Sequence, residues 1–344
     1  MRSESQYLTK YSKKLSIFFS FYLFFIQFSL ESQTKTKVKF KSANPFAMSD
    51  IINKLNNLES QEVFGLLTIP DDSLNINKKY PLIIGVAGSL GWRKHHYDYM
   101  KMYQKNGFAT FELNSFKSRN ITSTVGSQIE ITTAAMILDA YRAFEKLLEH
   151  PNIDKNKVSI TGWSLGGAVA LFSGWEPLGN AITNTLKFSS HLAFYPPCFF
   201  DPENTNFTEK PIHILIGELD NWTPAEPCVT FVEKINLKKN IGVTVFPNSH
   251  HSFDSEEPVS FNEKETTGDT EGSSCPPQDR FCICPRGLVE VRVWARPRRK
   301  RLELPRETLE HWPKAAPAAA AASAKVDFAQ THAYMALEGH QIVH

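Results

Sequence analysis

Cysteine is scarce in this chain, with five in 344 residues. That number, scattered as it is, excludes a disulfide-scaffold mini-protein, and no C-x₂-C pair suggests zinc. The "CICP" tract holding Cys282 and Cys284 is a weak metal signal at best. An excess of one charge is also lacking. Lys and Arg number 38 against 36 Asp and Glu, a formal net charge of +2, which gives no general reason to expect nucleic acid as a partner. Long apolar runs are nearly absent. The one prominent run, "LSIFFSFYLFFIQFSL" from Leu15 to Leu30, follows Lys10, Lys13 and Lys14 and resembles a secretory signal. As a helix it spans about 24 Å, short of the ~30 Å hydrocarbon core. Ser16, Ser20 and Gln27 weaken it further. Ser29 and Ser32 could flank a cleavage site, so export to an oxidising compartment is expected, with membrane attachment only if the segment is retained as an anchor.

The composition, 42% hydrophobic and 22% charged, is that of a globular protein able to bury a sizeable core. From Pro81 short β-type runs alternate with helical patterns, the signature of a mostly parallel sheet flanked by helices. The runs are Pro81–Ala87, Phe108–Leu113, Lys157–Gly162, His191–Pro196, Pro211–Gly217 and Ile241–Phe246. Between the second and third, Ile137, Tyr141, Phe144 and Leu148 step by four, three and four, placing one helix face against the sheet.

Late in the chain the composition changes. Before residue 280 there are 4 Arg and 23 Lys; from 280 onward there are 8 Arg and 3 Lys, and no Asn follows Asn262. With "RPRRKR" (Arg296–Arg301) and "APAAAAASA" (Ala316–Ala324), this stretch reads as a low-complexity, basic and Ala-rich tail, disordered or foreign to the fold. The expected organisation is a signal peptide or anchor at 1–32, an N-terminal extension at 33–61, an α/β unit at 62–255 and the tail at 256–344.

The chemistry centres on "VSITGWSLGGAVALF", Val158–Phe172. A G-x-S-x-G sequence after a strand and before a helix forces a sharp turn that exposes the serine hydroxyl, here that of Ser164. Gly162 and Gly166 leave room where strand and helix nearly touch. The Leu165 N–H at the helix start can stabilise an oxyanion. Such a nucleophile needs an acid and then a histidine later in the chain. "LIGELDNWTP" delivers Asp220, with Glu218 as the alternative, to the loop after a strand. "PNSHHSFD" offers His250 and His251 after the next one. Cys198 in "YPPCFF" and Cys228 in "PAEPCV" follow two successive strands and flank the Asp220 segment. They are expected to be neighbours and, in an exported protein, a disulfide.

From about Glu62 to Asp254 the chain resembles the dienelactone hydrolase family of α/β-hydrolases. The likeness rests on "GWSLGG", "GELDNWTPA", "HSFD" and "NSFKSR" (Asn114–Arg119). It implies an α/β-hydrolase fold and His251 as the base. Two departures are visible. Eponymous members carry a cysteine nucleophile, whereas this chain has Ser164. The usual His-Gly after the first parallel strand is Ala87-Gly88 in "VAGSLGW". The resemblance therefore implies the serine-bearing branch: a hydrolase of a small ester or lactone, with Ser164, Asp220 and His251 catalytic and an oxyanion hole of the Leu165 and Ser89 amides, or Leu90 in place of Ser89. It needs no metal and no organic cofactor. Trp163, Trp222, Trp92 and Leu90 either shape an apolar substrate pocket or pack in the core. The rival readings are a non-catalytic scaffold that binds a ligand or partner, and a peptidase of related fold.

Overall fold

The computed structural model describes residues 35–70, 77–125, 129–235 and 240–256. The apolar segment 15–30, the Cys282–Cys284 tract, the basic run 296–301 and the Ala-rich stretch lie outside them.

Eight strands form one sheet in the order β1-β2-β4-β3-β5-β6-β7-β8. They are β1 (Lys35–Ala43), β2 (Ser60–Thr68), β3 (Tyr80–Val86), β4 (Ala109–Leu113), β5 (Ile153–Trp163), β6 (His191–Phe194), β7 (Ile212–Gly217) and β8 (Ile241–Phe246). β1 and β2 join antiparallel at one edge, and β4, β3 and β5 to β8 run parallel. The parallel strands read as continuous apolar runs because helices cover both of their faces. In β3, "YPLIIGV", all residues but Pro81 are buried. The helices are α1 (Met48–Lys54), α2 (Lys94–Lys105), α3 (Thr133–Leu147), α4 (Leu165–Phe172), α5 (Glu176–Ile182) and α6 (Ala225–Ile235). Helix α3 starts where the Thr132 hydroxyl accepts from the Ala135 N–H at 3.1 Å. It buries Ile137, Tyr141 and Phe144 as their spacing predicts.

The 33–61 segment, expected as an extension ahead of the sheet, in fact carries its first strand. β1, "KTKVKFKSA", alternates lysines with Thr, Val, Phe and Ser, a two-faced edge pattern unlike the solid apolar runs of the parallel strands. Arg119, at the end of "NSFKSR", binds this region to the body. Its Nη1 and Nη2 grip the fully buried Asp139 of α3 at 2.7 and 3.0 Å. Its remaining N–H groups reach Ser115 O, Ala43 O and Asn44 Oδ1 at 3.0, 3.2 and 2.7 Å. All five guanidinium donors are thereby satisfied, so Arg119 is an internal tie between β1, the loop after β4 and α3.

On β6, His191 is fully buried, with Nδ1 2.9 Å from Ala170 O and Nε2 lacking a partner among the described residues. A proton on Nε2 would place a charge in the core with no acceptor. Burial pushes this imidazole down to about 4. The unfolded chain binds its proton near the ordinary value of about 6.5. Between those limits the unfolded state holds more protons, so this contribution to stability is full above about pH 6.5 and lost as pH falls toward 4. Buried His96 acts in the same direction. Urea unfolding at about pH 7 and about pH 5 is expected to show a loss near 2 kcal/mol from His191. His191→Asn, which keeps the Nδ1-like donor but cannot titrate, should show a drop smaller by that amount. An equal drop in both proteins would assign the acid sensitivity elsewhere.

Candidate active site

The parallel strands end on one edge, and the candidate residues gather there. Ser164 follows β5 at φ +53°, ψ −116°, a backbone conformation that residues other than glycine rarely adopt. The turn is possible because strand and helix touch backbone to backbone. A Cβ on Gly162 would fall 2.0 Å from Gly166 O, and one on Gly166 would fall 2.1 Å from Val86 O. The Ser164 N–H donates to Phe194 O at 2.9 Å, pinning the elbow to the end of β6.

His251 lies five residues beyond β8. The Ser164 hydroxyl lies 3.1 Å from its Nε2 and can donate to it. Its Nδ1–H donates to Asp220 Oδ2 at 2.8 Å. The Asp220 side chain is fully buried, three residues past β7, and that of His251 is 11% exposed. Asp220 Oδ1 accepts from the Trp222 and Thr223 N–H groups at 3.0 and 2.8 Å, which fixes the carboxylate plane toward the imidazole. The two loops are joined by the Leu219 N–H donating to Ser249 O at 2.9 Å. Glu218 accepts from the Asn248 N–H at 2.9 Å and is exposed, and exposed His250 has its Nδ1 3.1 Å from Leu219 O. Neither is part of the Ser164–His251–Asp220 chain of hydrogen bonds.

The turn after β3 lies against the elbow: a Cβ on Gly88 would stand 3.3 Å from the Ser164 Cβ. The turn closes with the Gly91 N–H donating to Gly88 O at 2.9 Å, and the Thr124 N–H donates to Ser89 O at 2.9 Å. Ser89 is buried and Leu90 is 49% exposed. With Leu165 opening α4, the segments that carry the Leu165 and Ser89 amides both adjoin the serine.

Of the aromatic candidates, Trp222 is 37% exposed, with its ring centroid 4.8 Å from that of His251. Trp163 is not a pocket wall. It is fully buried and stacked on His96 and Phe194 at 4.5 and 5.5 Å, and its Nε1–H donates to Asp254 Oδ2 at 3.1 Å. It lies beneath the elbow because side chains alternate along β5. Trp92 donates from Nε1 to Leu113 O at 2.9 Å and packs partly buried against the core.

The sequence reading did not find Thr223. Its Oγ1 stands 2.9 Å from Asp220 Oδ2, 3.1 Å from Tyr195 O and 3.1 Å from His251 Nδ1. Its single proton can reach the carboxylate or the carbonyl, and its lone pairs face Nδ1–H. Its place three residues after the acid, in "DNWT", was the available signal.

Cys198 and Cys228 form a disulfide with Cα atoms 5.0 Å apart, tying the loop after β6 to α6, directly beyond the Asp220 loop. The 30-residue separation corresponds to about 3–4 kcal/mol on the chain-entropy estimate. Replacing both with serine is expected to lower stability by about that amount, and to reduce kcat at temperatures where the variant is still folded, because the acid loop loses its brace. Unchanged kcat in folded variant would show that Asp220 is held without it.

The strand order and the elbow after β5 define an α/β-hydrolase. Within that class, the model of the dienelactone hydrolase family matches residues 73–270, more than half of the chain, and the chain belongs to that family. It is accordingly a hydrolase. No curated protein matches it. Similar solved structures include a Klebsiella pneumoniae subsp. pneumoniae protein assigned as a dienelactone hydrolase, at 14% identity and TM-score 0.46, covering 67% of this chain and 94% of that one. A Pyrococcus furiosus esterase aligns at 17% identity and TM-score 0.45, covering 64% and 85%. Est1E from Butyrivibrio proteoclasticus aligns at 16% identity and TM-score 0.41, covering 56% and 86%.

Proposed function

We propose that this hydrolase cleaves a small carboxylic ester or lactone through an acyl-enzyme on Ser164. The observation that carries the reading is the continuous hydrogen-bonded path from Ser164 Oγ to His251 Nε2 and from His251 Nδ1 to Asp220. His251 takes the hydroxyl proton as Oγ attacks the carbonyl carbon and the C=O electron pair moves onto oxygen. The Leu165 and Ser89 amides receive that oxyanion. Collapse expels the alcohol, which takes the proton from His251. Water, deprotonated by the same imidazole, then hydrolyses the acyl-enzyme. Asp220 holds Nδ1 protonated, so that Nε2 is the basic nitrogen. Leu90, next in sequence to Ser89, and Trp222, against the His251 ring, are exposed apolar side chains suited to an uncharged acyl or alcohol group.

The reading includes export through the 15–30 segment, for which the Cys198–Cys228 pair is the supporting feature, since disulfides persist in oxidising compartments. A fluorophosphonate probe with peptide mapping tests the mechanism. Stoichiometric label on the peptide containing Ser164, together with turnover of p-nitrophenyl acetate, is the expected result. An unlabelled, inactive chain would favour a ligand-binding scaffold. Preference for peptide over ester probes would favour a peptidase.

A further inference from the structure

Behind the imidazole lies a second hydrogen-bonded group that the proposed mechanism does not use. Asp254, three residues after His251, receives two bonds from the ends of two different strands. The Tyr195 hydroxyl donates to its Oδ1 at 2.8 Å, and the Trp163 indole N–H donates to its Oδ2 at 3.1 Å. Trp163 immediately precedes the elbow serine, and Tyr195 immediately follows β6. Both are buried, and this carboxylate is the acceptor on which the Trp163 N–H donor depends and the nearer of the two partners of the Tyr195 hydroxyl. The Tyr195 ring also meets the His251 ring edge-on at 4.7 Å. Its backbone carbonyl lies 3.1 Å from Thr223 Oγ1. Tyr195 holds φ +38°, a strained value for an aromatic residue. With the phenol proton committed to Asp254, the contact of 3.4 Å between Tyr195 Oη and His95 Nε2 requires His95 to be the donor. This draws α2 into the same group. Burial and the neighbouring Asp254 raise the Tyr195 phenol well above its ordinary value, which keeps it a donor.

We infer that Asp254 and Tyr195 form a latch that sets the imidazole of His251 against Ser164: both are positioning residues, acting through one shared hydrogen bond. The inference rests on the proposed serine mechanism. It follows from where the bonds run. His251 sits on a loop, and the Asp220 and Thr223 contacts both meet the ring at Nδ1, so that they alone leave it free to swing about that atom. Asp254 joins the far end of that loop to the residue before the nucleophile, while Tyr195 supplies the surface against which the ring rests. The loop also has apolar anchorage, with Phe253 5.6 Å from Tyr195 and 4.8 Å from Phe246 between ring centroids. Removing the polar latch is therefore expected to shift the imidazole without unfolding the domain.

The test uses the full chain carrying Tyr195→Phe, Asp254→Asn and both together. Tyr195→Phe keeps the ring against His251 and deletes only the hydroxyl. Each single variant is expected to lower kcat for p-nitrophenyl acetate by on the order of 10- to 100-fold, as displacement of a reacting group by about 1 Å does, with KM unchanged within about twofold. Because Tyr195→Phe removes the donor of this bond and Asp254→Asn weakens its acceptor, the double variant should lose no more than the worse single one. Undiminished kcat in Tyr195→Phe, or losses that multiply in the double variant, would overturn the latch. If Asp254→Asn fails to fold, Tyr195→Phe decides alone. An independent readout needs no turnover: the downfield proton resonance of His251 Nδ1–H should be resolved in the unmodified protein and broadened by exchange in both variants. That resonance staying sharp in folded variants would refute the latch even if no ester were ever cleaved. Failure of the unmodified protein to turn over esters or accept the fluorophosphonate would count instead against the serine mechanism.

Discussion

Ser164→Ala is expected to abolish fluorophosphonate labelling and to lower ester turnover by on the order of 10⁴-fold or more, with the folded state retained. The size of the loss follows from the position of the hydroxyl. It is the atom at the head of the path through His251 to Asp220, and among the described residues no second hydroxyl lies against His251 Nε2. Retention of the fold follows from the elbow. The bonds holding it are backbone ones, from the Ser164 N–H to Phe194 O and from the Ala168 N–H to Ser164 O, and alanine keeps both. Ser164→Gly adds a second, opposite readout. At φ +53° a residue with a Cβ carries strain of about 1–3 kcal/mol, which glycine relieves, less its own entropic cost of roughly 0.5–1 kcal/mol. The glycine variant should therefore be as inactive as the alanine variant and at least as stable as the unmodified protein. A serine retained in a strained turn at no benefit to stability is what a nucleophile requires and a mere turn residue does not. Labelling that survives in Ser164→Ala would move the nucleophile elsewhere and remove the basis of the proposed mechanism.

What the sequence made legible were the features that depend on local pattern. The apolar runs at Pro81–Ala87 and Pro211–Gly217 mark buried parallel strands because both faces must be apolar, and each observed strand falls within a residue of its run. The elbow is readable because its glycines are forced by backbone contact. The order of acid and histidine is readable because each occupies the loop after a strand. β1 was not legible, since an edge strand with one solvated face alternates lysines with other residues and carries no solid apolar run. Nor was the burial of Trp163. That depends on which face of β5 meets α2, where His96 stacks on the indole, a matter of tertiary packing. Thr223, Tyr195 and Asp254 were hidden for a related reason. Apart from the contact of Thr223 with Asp220, three residues before it, their partners stand 28 to 100 residues away, and the parallel sheet, by bringing its strand ends to one edge, makes them neighbours.

Replacing His251 with alanine should lower kcat by at least ~10³-fold, whereas His250→Ala should leave kcat within a few-fold of the unmodified protein. The two residues are adjacent, so general disturbance of the loop would affect both variants alike and cannot produce the difference. Geometry produces it. His251 turns its Nε2 to Ser164 Oγ at 3.1 Å and its Nδ1 to Asp220 at 2.8 Å, inside the cluster of Tyr195, Trp222 and Thr223. His250 has an exposed ring and a contact of 3.1 Å with Leu219 O, away from the serine. Loss of His251 leaves the Ser164 hydroxyl without a base and the buried Asp220 carboxylate without its imidazole partner, so the fall should appear in kcat and kcat/KM together. The residual rate should come from the oxyanion-binding amides and substrate binding alone. Fluorophosphonate labelling should slow in parallel, because phosphonylation needs the same proton removal. Equal losses in the two variants would leave loop integrity rather than base chemistry as the cause, and a larger loss at His250 would reverse the assignment. The same comparison extends to the acid: Asp220→Asn, which keeps the shape but removes the charge that holds Nδ1 protonated, should fall by on the order of 10⁴-fold, as a wrong-tautomer imidazole does, while Glu218→Gln, whose carboxylate only caps the Asn248 N–H, should not.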